Sequence, residues 1–111
     1  MSYHVEYTES SEADLKALDG SQQKIVRKAI DKISENPLPK KEGGYGNPLG
    51  NRGHNNLAGL CKIKLLKLGI RVVYKLIRER KVMKIIVIAA RADNEVYDIA
   101  TKRLNNSPLG R

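Results

Sequence analysis

The chain has 111 residues, 41% of them apolar, with five Tyr but no Phe or Trp, and a formal net charge of +9. That length suits one domain with a modest core of Ile, Leu, Val, Ala and a few Tyr. No apolar run approaches the roughly 18 residues of a membrane span, MSYHVEYTES lacks the basic and apolar regions of a signal peptide, and the lone Cys61 makes neither an internal disulfide nor a zinc site, so a cytoplasmic protein without membrane or metal is expected.

Tyr3-His4-Val5-Glu6-Tyr7 alternates apolar and polar, which reads as a half-buried first strand. Ser11 opens a helix with Asp14 three residues on as a capping box; Leu15 and Leu18 form its apolar stripe, and Asp19-Gly20 stops it. Ser21 caps a second helix. There Ile25, Val26, Ala29, Ile30 and Ile33 recur at helical spacing until Asn36-Pro37. So short a turn between the two makes an antiparallel helical hairpin. Residues 37–56 hold five Gly, three Pro and four Asn with no period, and read as a long mobile loop.

Three strands follow at about 57–65, 70–77 and 82–90, joined by short connections that make them antiparallel neighbours. Asn94 caps a short last helix through about Leu104, and residues 105–111 read as a frayed tail. The expected fold is α+β in the order β-α-α-β-β-β-α. It is a small antiparallel sheet with the helical hairpin on one face and a short C-terminal helix, all within one domain over residues 1–104.

The charge is concentrated. Between Lys62 and Arg91 stand ten Lys or Arg and a single acid, Glu79; the rest of the chain holds 11 basic and 11 acidic residues. Strand alternation places Cys61, Ile63 and Leu65 on one face with Ile70, Val72, Tyr74 and Leu76, and Lys62 and Lys64 on the other with Arg71, Val73 and Lys75. A four-residue loop at 66–69 sets Leu65 opposite Ile70, Ile63 opposite Val72, Cys61 opposite Tyr74 and Lys64 opposite Arg71. A one-residue slip would mix the faces. One face is therefore core and the other cationic. Directly opposed like charges are destabilising, which suits a surface that binds a polyanion. A solvated sheet face, on which Lys guards against aggregation, fits the same pattern.

The strings CKIKL, GIRVVYKLI and VIAARADNEVY, followed by ATKRL, resemble the RelE toxins of the RelE/ParE superfamily of bacterial toxin–antitoxin systems, over about residues 3–104. The resemblance implies a ribosome-dependent endoribonuclease that cuts mRNA in the ribosomal A site. It implies a RelB-like antitoxin partner, binding to ribosomal RNA, and contact with operator DNA only through the antitoxin. Residue by residue, the family's Lys-x-Lys falls on Lys62 and Lys64, the Arg after the hairpin glycine on Arg71, the Arg after the last strand on Arg91, and the Tyr of Glu-Val-Tyr on Tyr97. Lys67, Lys75, Arg78, Arg80, Lys81 and Lys84 would extend the RNA-binding surface. The chain departs from the family in its longer, Gly-rich 37–56 segment and in Ala90, where a second base can precede the Arg.

RNA can be cut by attack of its 2′-OH on the adjacent phosphorus, leaving a 2′,3′-cyclic phosphate. The reaction needs a base, cations for the phosphorane and an acid for the leaving oxygen. The sequence has no Asp/Glu/His cluster suited to a metal and no cofactor motif. His4 reads as surface, and His54 lies in the loop. Tyr97 alone reads as an aromatic packing beside the last helix; the resemblance makes it the base, with Lys62, Lys64, Arg71 and Arg91 around the phosphate. Lys64 is the first choice for the acid, because arginine gives up a proton reluctantly. Two rivals share parts of this pattern. One is the ParE branch, which poisons DNA gyrase without being a nuclease. The other is a non-enzymatic module that binds nucleic-acid phosphates.

Overall fold

A computed structural model describes residues 2–52 and 55–105. The elements are β1 (His4–Tyr7), α1 (Glu9–Lys16), α2 (Gly20–Ser34), a 3-10 turn (Lys40–Glu42), β2 (Asn47–Arg52), β3 (Asn55–Leu65), β4 (Ile70–Ile77), a second 3-10 turn (Arg78–Arg80), β5 (Val82–Ala89) and α3 (Asp93–Asn105). The α+β class and the order of the expected elements hold, with one strand added. His54 and residues 106–111 of the expected tail lie outside the described residues.

The five strands form one sheet in the order β1-β5-β4-β3-β2. It is mixed, which corrects the expected antiparallel sheet: β1 runs parallel to β5, with His4 beside Val82 and Tyr7 beside Ile85. The helical hairpin between β1 and the remaining strands carries the chain back across the sheet, so β1 can lie parallel at its edge. The register of β3 on β4 is the one that face-matching requires, with Leu65 opposite Ile70, Lys64 opposite Arg71 and Cys61 opposite Tyr74.

The helix starts differ from expectation. Thr8, not Ser11, caps α1 by accepting from the Ser11 amide at 3.1 Å, and Asp19, not Ser21, caps α2 by accepting from Gln22 at 2.8 Å. Both are strong cap formers, and each lies upstream of the residue the pattern favoured.

The sheet has two covered faces. Under α1 and α2 lie Leu15, Val26, Ile30, Ile63, Val72, Tyr74, Met83 and Ile85. On the opposite face, expected to be cationic and open, Leu60, Val73, Ile86 and Val87 pack against Val96, Tyr97 and Ala100 of α3. A bulge makes this possible: Val73 pairs with Val87 but Tyr74 with Ile85, so Ile86 is an extra residue in β5. Two consecutive apolar side chains then face α3. The cations are thereby confined to the margins of a second small core.

The 37–56 segment is organised through residue 52, which corrects its reading as a loosely held loop. Tyr74 donates its hydroxyl to the Pro37 carbonyl at 2.8 Å, Gly46 N–H reaches Leu38 O at 2.8 Å, and Asn47 and Pro48 of β2 pair with Lys62 and Cys61. Its glycines serve close packing: a Cβ on Gly46 would lie 2.6 Å from both Pro37 O and the Tyr74 hydroxyl, and one on Gly44 would run into the Leu38 carbonyl. Gly44→Ala should therefore cost about 1–3 kcal/mol by overpacking against backbone. Gly20→Ala, at a helix start with open space around it, should be neutral or slightly stabilising. Urea melts of the two variants check this contrast.

Candidate active site

Three elements meet at the end of the sheet nearest the β3–β4 turn. Lys62 and Lys64 project from β3, Arg71 from β4, and Asp93 and Tyr97 from α3; Arg91 sits in the link between β5 and α3. Residues i and i+4 of a helix are separated by about 6 Å along its axis, and i and i+2 of a strand by about 6.6 Å. The near match lets the helix pair Asp93 and Tyr97 face the strand pair Lys64 and Lys62 in two rungs.

In one rung Lys62 Nζ donates to the Tyr97 hydroxyl at 3.2 Å and lies 5.8 Å from the ring centroid. The Tyr97 residue is only 2% exposed, so its ring is core while its oxygen is held at the edge of that core. Tyr97 thus packs beside the helix and also meets a cation.

In the other rung the Asp93 carboxylate bridges Lys64 Nζ, at 3.2 Å, and Arg71 Nε. Arg71 Nη1 also donates to the Arg91 carbonyl at 2.6 Å. Arg91 itself is exposed and pairs with Glu95 at 3.4 Å. Partial burial raises the Asp93 carboxyl's affinity for a proton, but hydrogen bonds and charge from Lys64 and Arg71 outweigh this and hold it below the ordinary carboxylate range. Because its folded value is depressed, Asp93 contributes stability above the unfolded-chain value of about 3.9, and that contribution is lost as pH falls below it through the folded value. The gap in melting temperature between wild type and Asp93→Asn should therefore close on acidification through that window.

The structure gathers Lys62, Lys64, Arg71, Arg91 and Tyr97 at one place. The other expected RNA contacts are spread out. Lys67 is exposed in the β3–β4 turn near the site. Lys75 and Lys84 are cross-strand partners, half-buried, farther down the sheet. Arg78, Arg80 and Lys81 lie just past the opposite end of β4, the first of them seven residues or about 23 Å along the strand from Arg71. Arg78 there grips Glu42 through two bonds of 2.7 and 2.8 Å, which favours both charged forms. Sequence reasoning missed Asp93 and Glu95. The one available signal was position: Asp93 is the first acid after the cationic stretch and stands four residues before Tyr97. Among the described residues, no group of three or more His, Cys, Asp or Glu could hold a metal, and no helix is long and apolar enough to cross a membrane.

A mixed five-stranded sheet between a helical hairpin and a C-terminal helix, with strand cations facing that helix, makes the chain a small α+β protein with a cationic site at one end of its sheet. The chain is 27% identical over 104 residues to the mRNA interferase toxin RelE of Escherichia coli K12, spanning 94% of this chain and 99% of the relative. A mutant of the E. coli toxin RelE in the free state matches with a TM-score of 0.72 and 26% identity over 94% of this chain and 99% of its own. The RelBE2 toxin–antitoxin complex of Mycobacterium tuberculosis matches with a TM-score of 0.65 and 26% identity over 84% and 95%. No protein-family model matches. In sequence and fold, over nearly its whole length, the chain is RelE-like.

Proposed function

We propose that this chain is the toxin of a toxin–antitoxin pair, an endoribonuclease that cuts mRNA in the ribosomal A site and so stops translation. The observation that carries the reading is the Lys62–Tyr97 contact of 3.2 Å beside the Lys64–Arg71 pair. It sets a candidate base within reach of a cluster of cations. The likeness to an mRNA interferase and to a toxin–antitoxin complex supports it.

In the mechanism, the Tyr97 phenolate takes the proton of the 2′-OH, and the 2′-oxygen forms a bond to phosphorus. The bond from phosphorus to the 5′-oxygen breaks, leaving a 2′,3′-cyclic phosphate and a 5′-hydroxyl. Lys62 steadies charge on the Tyr97 oxygen, and Lys64, Arg71 and Arg91 take up the extra charge of the phosphorane. Lys64 hands a proton to the leaving oxygen. The residues at hand do not orient a flexible RNA by themselves, so the ribosome supplies proximity and alignment. The flanking cations Lys67, Lys75, Arg78, Arg80, Lys81 and Lys84 would hold ribosomal RNA and mRNA phosphates. A RelB-like antitoxin would neutralise the toxin with a segment that folds onto this surface, and operator DNA would be reached only through it. The site of action is then the cytoplasm.

The test is mRNA cleavage with and without programmed ribosomes. Cleavage is expected only with ribosomes. Efficient, specific cleavage of naked mRNA would overturn the ribosome dependence. No cleavage in either case, with loss of gyrase supercoiling activity, would overturn the nuclease reading.

A further inference from the structure

The cations that would receive a phosphate are already occupied. The first turn of α3 supplies two carboxylates: Asp93 spans Lys64 and Arg71, and Glu95 meets Arg91. The Asp93 contact is the one built into the fold. Lys64 and Arg71 are directly opposed across β3 and β4, so their repulsion calls for an anion between them. A carboxylate held by an ammonium and a guanidinium presents two oxygens to the same donors that a phosphodiester would use.

We infer that Lys64 and Arg71 form an oxyanion subsite whose resident occupant is Asp93, and that a substrate phosphate must displace this carboxylate before it can sit beside Tyr97. The identity of that phosphate as RNA rests on the function proposed above. Three features make Asp93 displaceable. The side chains of Lys64, Arg71 and Asp93 are 37%, 25% and 31% exposed, so water reaches all three, although the contacting atoms Arg71 Nε and Asp93 Oδ1 are themselves buried. The more exposed of the two pairs, Lys64–Asp93, is a weak one. Asp93 is also the first residue of α3, next to the exposed Ala90–Ala92 link, whereas Tyr97 one turn on is buried. The carboxylate can therefore turn away while Tyr97 stays in place.

The consequence is selectivity by competition. An internal anion at high effective concentration lowers the affinity for any stray phosphate. RNA that another body already holds in position bears this cost best. Asp93 would thus suppress binding of free RNA and leave positioned mRNA as the effective substrate.

The test is a titration of the intact protein with inorganic phosphate, followed by NMR at the Arg71 side-chain N–H. Asp93→Asn should bind phosphate roughly three- to thirtyfold more tightly than wild type, the range given by one or two partly exposed ion pairs. Glu35→Gln is the control. It removes the same charge from the exposed C-terminal end of α2, on the other face of the sheet, and should bind like wild type. In parallel, a fully 2′-O-methylated RNA oligonucleotide, which cannot be cleaved, should bind Asp93→Asn with a salt dependence steeper by roughly 0.7 per cation released. Equal or weaker phosphate binding by Asp93→Asn, including binding undetectable in both proteins, overturns the inference. Tighter binding shared equally by Glu35→Gln also overturns it, since net charge then explains the effect. Tighter phosphate binding by Asp93→Asn alone, without ribosomal cleavage by wild type, keeps the subsite and removes the nuclease reading.

Discussion

Tyr97→Phe is expected to lower ribosome-dependent mRNA cleavage by roughly two to four powers of ten, the range associated with losing a general base, while the melting temperature hardly moves. Tyr97 belongs to the small core that holds Leu60, Val73 and Ala100, and Phe keeps the ring in that core. The lost oxygen accepts from Lys62 at 3.2 Å. Lys62 is only half-buried, so its ammonium can turn to water, and the stability cost should stay near 1 kcal/mol. Ribosome binding should barely change, because it depends on the cations. A purely structural Tyr97 predicts the reverse pattern: Phe tolerated in activity, and Ala costing about 3–5 kcal/mol through the cavity it leaves. A Phe variant that cleaves at the wild-type rate would remove Tyr97 from the chemistry and leave the cationic face as a binding surface.

The parts of this site that were legible in the sequence are those governed by local pattern. Lys62, Lys64 and Arg71 could be assigned to one face because strict alternation and a short β3–β4 turn admit one register, and that register is the one observed. The position of Asp93 was not legible. Its pairing depends on how α3 lies across the sheet, and that lie depends on the bulge at Ile86, which the unbroken apolar run Ile85-Ile86-Val87-Ile88 conceals. β2 was hidden for a different reason. It is an edge strand, where Pro48 and Gly50 are tolerated because one side of the ladder needs no partner. Its residues therefore carry turn signals. The like-charge pair Lys64–Arg71 did call for an anion, and the fold answers it from within the chain.

Asp14→Ala is expected to destabilise the protein by about 2–3 kcal/mol, through the placement of α3. β1 pairs with β5 only from Val82 to Ile85. Beyond that point no strand among the described residues lies beside the outer edge of β5, and the side chains of Asp14 and Arg103 serve it instead. Asp14 of α1 accepts from the Ile88 amide at 3.0 Å, and Arg103 of α3 donates to the Ile86 carbonyl at 2.9 Å. The two also bind each other, at 2.6 and 3.1 Å, across 89 residues of chain. This clasp joins helices on opposite faces of the sheet around its edge. Removing Asp14 leaves the Ile88 amide without that acceptor and Arg103 with its charge uncompensated, its side chain only 28% exposed. Against a total stability of roughly 5–15 kcal/mol, such a loss is large. Asp14→Asn keeps an acceptor for Ile88 and should lie between wild type and Ala. Arg103→Ala in the Asp14→Ala background should add less than it does alone, because the two act on one interaction. Fully additive losses in chemical denaturation would show that they act separately. The clasp is six residues beyond Tyr97, at the far end of the helix that holds the Tyr97 hydroxyl against Lys62. Cleavage by Asp14→Ala should therefore fall even well below its melting temperature, and Asp14→Asn should recover part of both activity and stability. Loss of stability without loss of rate would separate the clasp from the placement of Tyr97 and make it a device for the sheet edge alone.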